Sequence, residues 1–230
     1  MIKMVVFDMA GTTVDENNVV YKTLLRAINE RQFDFTLDEV LAEGAGMEKL
    51  QAIRSILASK QIADEALAKD IFETFRKLLK TAYENLDVTE QNNATPLFTE
   101  LKKIGISVVL NTGYDRQTAE GLIAKIGWEK GTHYDELITA SDVEKNRPNP
   151  DMILLAMSKL GIEHADQVIK VGDSTIDIEE GRNAGCVLNI GITTGAQTRE
   201  QLLTAQPDFV IDDLLELLPI VKRHSFEEQV

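Results

Sequence analysis

The sequence predicts an α/β fold: a parallel sheet of about six strands flanked by helices, with an all-helical module inserted after the first strand. Three observations predict it. Short apolar runs alternate with longer helical patterns from about Pro96 onward. Those runs are nearly continuous rather than alternating, as expected of strands covered on both faces. Residues from about Asn17 to Leu86 carry helical spacing and no convincing strand.

The elements follow in order. The first apolar run is Lys3 to Phe7, and Asp8 ends it. Within the insertion, Leu24, Leu25 and Ile28 mark one helix, Leu50, Ile53 and Leu57 a second, and Ile71, Phe75, Leu78, Leu79 and Ala82 a longer third. Gln91, Asn92 and Asn93, followed by Thr95-Pro96, form a polar joint with a helix start beyond it. The remaining strand candidates are Ile106 to Leu110, Leu137 to Thr139, Val168 to Val171, Val187 to Ile190 and Phe209 to Ile211. Leu122, Ile123 and Ile126, and then Ile153, Leu154, Met157 and Leu160, give the apolar stripes of intervening helices. The division expected is a core of residues 1–15 and 90–230 around a helical cap of residues 16–89. The end, Arg223 to Glu228, shows no partner pattern and is expected to fray.

Composition narrows the function. The chain has 230 residues, 43% of them hydrophobic and 27% charged, which is an ordinary globular composition. With 24 Lys plus Arg against 38 Asp plus Glu, the formal charge is -14. So acidic a chain is a poor match for nucleic acid or an anionic membrane surface. A phosphorylated substrate stays open, provided a local cation gathers negative charge. The single cysteine, Cys186, excludes an internal disulfide and reads as a small core residue. No signal peptide or membrane-length apolar stretch is present, so the expectation is a cytoplasmic enzyme with a small-molecule partner. A homodimer is the assembly entertained.

Four groups of chemically informative residues each follow a strand candidate, where open parallel sheets bind ligands. In Phe7-Asp8-Met9-Ala10-Gly11-Thr12-Thr13-Val14-Asp15, a carboxylate leaves a buried strand and enters a tight turn; alone it could merely cap that turn. In Asn111-Thr112-Gly113-Tyr114, a hydroxyl and a glycine amide open a helix, whose free N–H groups suit anions. In Asn146-Arg147-Pro148-Asn149-Pro150, a stiff loop carries an arginine, whose planar fork of donors suits phosphate oxygens. In Gly172-Asp173-Ser174-Thr175-Ile176-Asp177, two carboxylates four residues apart across a helix start can point at one spot and suit Mg²⁺. Each group alone has a structural explanation; their order and placement together argue for a site.

Those four motifs identify the chain as similar to the haloacid dehalogenase superfamily of aspartate-nucleophile hydrolases, over nearly its whole length. The resemblance implies a Rossmann-like core with a helical cap, and an Asp8 that attacks phosphorus to form an aspartyl-phosphate. It implies Mg²⁺ held by Asp8, the Ala10 carbonyl and Asp173, with Asp177 in support, and phosphoryl oxygens bound by Thr112, Gly113 and Arg147. Tyr114, beside Gly113 in sequence, either lines the pocket or takes a helix-start surface role. Ala10 stands where most phosphatases of the superfamily carry a second Asp, and Arg147 stands where most carry lysine. Both substitutions resemble the phosphonatase branch, the phosphonoacetaldehyde hydrolases. There a cap lysine forms a Schiff base with the aldehyde, and carbon leaves as an enamine that needs no proton from a second acid.

Lys49 in Gly46-Met47-Glu48-Lys49 falls on the Schiff-base position. The branch pattern is incomplete here. Ala52 replaces a histidine, Ala45 a methionine, and Glu16-Asn17-Asn18-Val19 a cysteine-containing segment. Glu48 beside Lys49 would favour a charged amine if close. A solvated or phosphate-guiding Lys49 is the alternative, with a phosphomonoesterase of the phosphoglycolate phosphatase kind, a dehalogenase or a non-catalytic relative as the other functional readings. His133, His164 and His224 are scattered and form no metal set, and Trp128 reads as packing.

Overall fold

The computed structural model describes residues 1–226. The chain runs through β1 (Met4–Asp8), β2 (Val14–Asp15), α1 (Val19–Asn29), α2 (Leu37–Gly44), α3 (Lys49–Ser59), α4 (Glu65–Asn85) and β3 (Thr89–Glu90). It continues through α5 (Ala94–Lys103), β4 (Ser107–Thr112), α6 (Arg116–Ile126), β5 (Glu136–Thr139), α7 (Asp151–Leu160) and β6 (Val168–Gly172). It closes with α8 (Thr175–Ala184), β7 (Leu188–Ile192), α9 (Arg199–Thr204), β8 (Phe209–Ile211) and α10 (Leu217–Phe226).

All six expected strands join one parallel sheet in the order β5-β4-β1-β6-β7-β8. The sheet grows outward from β1 in both directions, so the point where the order reverses lies at β1. There adjacent connections depart to opposite faces and leave a crevice at the strand ends. Register sets Asp8 beside Asn111 of β4 and Phe7 beside Val171 of β6, bringing three of the four motifs together.

β1 is buried throughout because both faces are covered. Val5 and Phe7 point into one apolar cluster with α5 and α10, while Met4 and Val6 point into another with α7, as a two-residue repeat requires. The first cluster runs on into the helical insertion through Leu24, Ile28, Ile53, Ile56, Ile71 and Phe75. Phe98 is held between Phe7 and Trp128, with ring centroids 5.3 Å and 5.2 Å away, and the Trp128 Nε1–H donates to Thr95 Oγ1 at 3.0 Å. Trp128 is thus a packing residue, and Cys186 is buried in the second cluster.

Three features differ from the sequence-based expectation. The insertion has four helices, not three: α2 was unmarked, although Thr36 and Glu39 form a reciprocal capping box at its start. The chain leaves and re-enters the sheet layer through an antiparallel pair, β2 with β3, two residues each. The expected fraying from Arg223 is corrected: α10 continues to Phe226, anchored by Leu217 and Val221 in the core, and Glu227 and Glu228 lie outside the described residues.

Truncating Phe98 to alanine removes the ring that links the sheet to Trp128. Phe98→Ala is expected to cost about 3–5 kcal/mol in urea unfolding, followed by Trp128 fluorescence.

Candidate active site

The turn after β1 is wound tightly around one carbonyl. Met9 O accepts from the N–H groups of Thr12, Thr13 and Val14 at 3.1, 2.9 and 2.8 Å, and the Thr13 hydroxyl donates to Asp8 O at 2.9 Å. This holds the Asp8 carboxylate at the strand end, almost fully buried. Two glycines bring backbone against the next carboxylate: a Cβ on Gly11 would sit 2.3 Å from Asp173 Oδ2, and one on Gly195 1.9 Å from it. The same oxygen accepts the Ala196 N–H at 2.6 Å.

Arg147 is 1% exposed and lies at the centre of the site. Its NH1 donates to Asp8 Oδ1 at 2.6 Å and lies 3.0 Å from Asp177 Oδ1; its NH2 donates to Asn111 Oδ1 at 2.6 Å and to the Asn111 carbonyl at 2.9 Å. Its Nε is 3.1 Å from Glu180 Oε2. A second buried cation, Lys170, donates to Asn111 Oδ1 at 2.7 Å and pairs with Asp177 at 2.9 Å and Glu180 at 3.2 Å. The Asn111 amide completes the ring by donating to both Glu180 oxygens. Sequence reasoning missed Asn111, Lys170 and Glu180. The available signals were a lysine inside the apolar run Val168 to Val171, and a glutamate one helical turn after Asp177.

Asp8, Asp173 and Asp177 each offer a carboxylate oxygen within 4.8 Å of the others. Burial raises the pKa of Asp8, with Arg147 opposing. Burial, and then the charges of Asp8 and Asp177, hold the Asp173 carboxyl well above the usual range. Burial works against ionisation of Asp177 too, but Arg147 and Lys170 overcome it and keep that carboxyl low. With Glu180, four buried carboxylates face two buried cations, a deficit that one divalent cation would offset. Hard oxygen donors with a deficit of that sign and size fit Mg²⁺. Among the described residues no other such group of potential ligands occurs, and the histidines take no part.

The loop between α2 and α3 covers this crevice. Gly46 has φ of +76° and a Cβ there would lie 2.2 Å from Ser174 Oγ; a Cβ on Gly113 would lie 2.9 Å from the Met47 carbonyl. The helical insertion therefore touches the end of β4 backbone to backbone at Gly113 and presses its own backbone at Gly46 onto the Ser174 side chain. Gly46 N–H donates to the Tyr21 hydroxyl at 3.0 Å. Thr112 is buried and its Oγ1 accepts the Tyr114 N–H at 3.2 Å, which turns the chain toward α6. Tyr114 itself is buried.

Lys49 opens α3 and is buried in this seam. Its Nζ donates to the Met47 carbonyl at 2.6 Å and lies 5.5 Å from the ring centres of both Tyr21 and Tyr114. Glu48 turns back to accept from the N–H groups of Leu50 and Gln51, capping α3 rather than pairing with the amine. Burial pushes the Lys49 pKa below the ordinary lysine value, against the pull of Asp8 and Glu48 and with help from Arg147. The structure thus gathers Asp8, Arg147, Asp173 and Asp177 at one point, with Thr112, Gly113 and Tyr114 alongside and Lys49 in the covering seam. A groove of about 840 Å³ between α4 and α6 reaches Lys49, Gly113 and Tyr114 from outside.

Known proteins are similar to this chain in sequence and fold. Residues 5–190 match the family described as haloacid dehalogenase-like hydrolase. A phosphonoacetaldehyde hydrolase of Bacillus cereus is 30% identical over 207 residues, spanning 85% of this chain and 77% of that protein. A phosphonoacetaldehyde hydrolase of Parabacteroides distasonis is 29% identical over 264 residues, spanning 99% and 98%. In fold, the chain superposes on a phosphonoacetaldehyde hydrolase-like protein of Oleispira antarctica with a TM-score of 0.83 at 24% identity, covering 97% of this chain and 92% of the other. It superposes on a hydrolase of Pseudomonas syringae with a TM-score of 0.84 at 19% identity, covering 96% and 98%. The chain belongs to the haloacid dehalogenase-like hydrolases.

Proposed function

We propose that this hydrolase moves a phosphoryl group from a small phosphonate aldehyde, of the phosphonoacetaldehyde kind, to Asp8 and then to water. The observation that carries the reading is the Lys49 amine, buried in the seam above the strand ends with its pKa lowered. A free amine there is the group a Schiff base requires. The activity for which its relatives are named supports the same reading.

In this reading residues 16–89 act as a cap over a core of residues 1–15 and 90–230, and the seam is the reaction space. The Lys49 nitrogen adds to the aldehyde carbon, and loss of water gives an iminium. The Asp8 carboxylate attacks phosphorus; the carbon–phosphorus bond breaks and its electron pair passes to carbon, leaving an enamine on Lys49. Arg147 holds Asp8 Oδ1 in place and offers its fixed charge to the phosphoryl oxygens, which Thr112 and the Gly113 amide also face. Water then hydrolyses the aspartyl-phosphate. The enamine takes a proton at carbon and hydrolyses to the free aldehyde and amine.

Mg²⁺, held by Asp8, Asp173 and the Ala10 carbonyl with Asp177 in support, would offset the repulsion between carboxylate and phosphonate. Ala10 fits the same chemistry: a carbon leaving as an enamine needs no neighbouring acid. In an ester an alkoxide would leave, and a positioned acid is typically worth about 10²–10⁴-fold.

Borohydride added with phosphonoacetaldehyde is expected to fix an adduct on Lys49, detected by mass spectrometry, while Lys49→Ala forms none and loses turnover. Full turnover in that variant would leave only ester chemistry. Mg²⁺ at about a hundred times its Kd is expected to stabilise the fold by about 2.7 kcal/mol, read as a rise in Tm. Asp173→Asn should abolish that rise.

A further inference from the structure

One buried titratable group plays no part in the reaction so far. Glu16 follows β2 and is 2% exposed. Its Oε2 accepts the Val20 N–H at 2.9 Å, and the Tyr83 hydroxyl donates to the same oxygen at 3.3 Å. The Tyr83 and Tyr114 hydroxyls lie 2.9 Å apart, the rings meeting edge to face. The Tyr114 ring in turn lies against the Lys49 amine, 5.5 Å from Nζ to ring centre.

Capping α1 explains the first bond, but a neutral Asn or Ser does that without the cost of burying a carboxylate. It leaves the second bond unexplained, since Tyr83 belongs to α4 at the far end of the insertion. The groups facing Glu16 are Tyr83 from α4, Tyr114 from the end of β4 and Lys49 from the start of α3. Burial pushes the Glu16 carboxyl up to about 7, against the Val20 and Tyr83 bonds and the Lys49 charge. Glu16 and Lys49 feel each other's charge, and the Tyr83 and Tyr114 hydroxyls continue the line of polar contacts that starts at Glu16.

We propose that Glu16, acting through the Tyr83–Tyr114 hydroxyl pair, is a positioning residue that supplies and recovers the proton exchanged at Lys49 as the Schiff base forms and breaks. The inference rests on the Schiff-base role of Lys49. When the amine adds to the aldehyde, one of its own protons reaches the former carbonyl oxygen. Expelling that oxygen as water breaks the carbon–oxygen bond and takes one further proton. With Glu16 protonated, its carboxyl O–H turns to donate to the Tyr83 oxygen and Tyr83 donates to Tyr114; Glu16 then gives its proton to Tyr83, Tyr83 passes its own to Tyr114, and Tyr114 passes its own to the departing oxygen. After phosphoryl transfer, the enamine carbon takes a proton from solvent water; water then adds to the iminium and the carbon–nitrogen bond breaks. One proton is released and returns along the same path, restoring neutral Lys49 and protonated Glu16.

The test times borohydride trapping of phosphonoacetaldehyde on Lys49 across pH, in the unmodified protein and in Glu16→Gln and Tyr83→Phe. Beryllofluoride binding at Asp8 with Mg²⁺ checks in each that the core is intact. In the unmodified protein, trapping should slow as pH rises through about 7 and Glu16 loses its proton. Both variants should trap about 100-fold more slowly, and Glu16→Gln should lose the decline above pH 7. Trapping in both variants at the unmodified rate, with the decline intact, overturns the relay alone. The absence of any Lys49 adduct in the unmodified protein overturns the Schiff-base reading, and the relay with it.

Discussion

The site depends on one buried guanidinium. A charge removed from water must be paired and hydrogen-bonded or the fold suffers for it, and Arg147 meets that demand by drawing on β1, β4 and α8 at once. The planar fork matters. One terminal nitrogen faces Asp8 and Asp177 while the other faces Asn111, and Nε is left to face Glu180. A lysine ammonium at the same place could not present donors in three fixed directions. Lys170 enters the cluster from β6 and supplies the remaining charge to Asp177 and Glu180. Asp8 is therefore held by a partner whose own orientation is fixed from below, which is what the nucleophile proposed for it requires.

The second constraint is backbone proximity. Gly113 lets the backbone of the insertion reach the end of β4, Gly46 lets it close on the Ser174 side chain, and Gly195 and Gly11 allow loops to close on Asp173. Each contact excludes water from a space where charges must act strongly. The insertion enters and leaves through the short β2–β3 pair, so two adjacent strands tie it to the layer that bears Asp8. Tyr83 and Tyr114, from opposite sides of the seam, meet through their hydroxyls and link the two layers where Lys49 lies.

The six strands were legible because buried parallel strands leave apolar runs that need no partner to recognise. The residues following β1, β4 and β6 were legible as motifs because strand ends impose their spacing locally. The elements missed were those whose reason lies elsewhere in the chain. β2 and β3 are two residues each and exist only by pairing across the whole insertion. Lys170 looks like an error in an apolar run until Asp177 and Glu180 are seen to neutralise it. Glu48, adjacent to Lys49 in sequence, does pull the amine toward its charged form, but burial outweighs it, and its carboxylate is engaged by the amides that open α3. Glu16 read only as a departure from a family pattern, because the tyrosines that give it a partner are 67 and 98 positions away.

The placement of protons in the proposed reaction follows from the leaving group. Where oxygen leaves, the acid belongs beside the nucleophile, and in this chain that place is filled by Ala10, which cannot donate. Where carbon leaves as an enamine, the proton traffic moves to the nitrogen, on the far side of the transferring group. The titratable groups of this protein are distributed accordingly. Around Asp8 stand cations and carboxylates engaged with one another, whereas Lys49, within reach of the Asp8 and Glu48 charges, lies against Tyr21 and Tyr114, and Tyr114 leads on to Tyr83 and Glu16, hydroxyls and a carboxyl that can hold or pass a proton. Losing an acid at the core and burying one in the seam are, on this argument, two sides of the same change in chemistry.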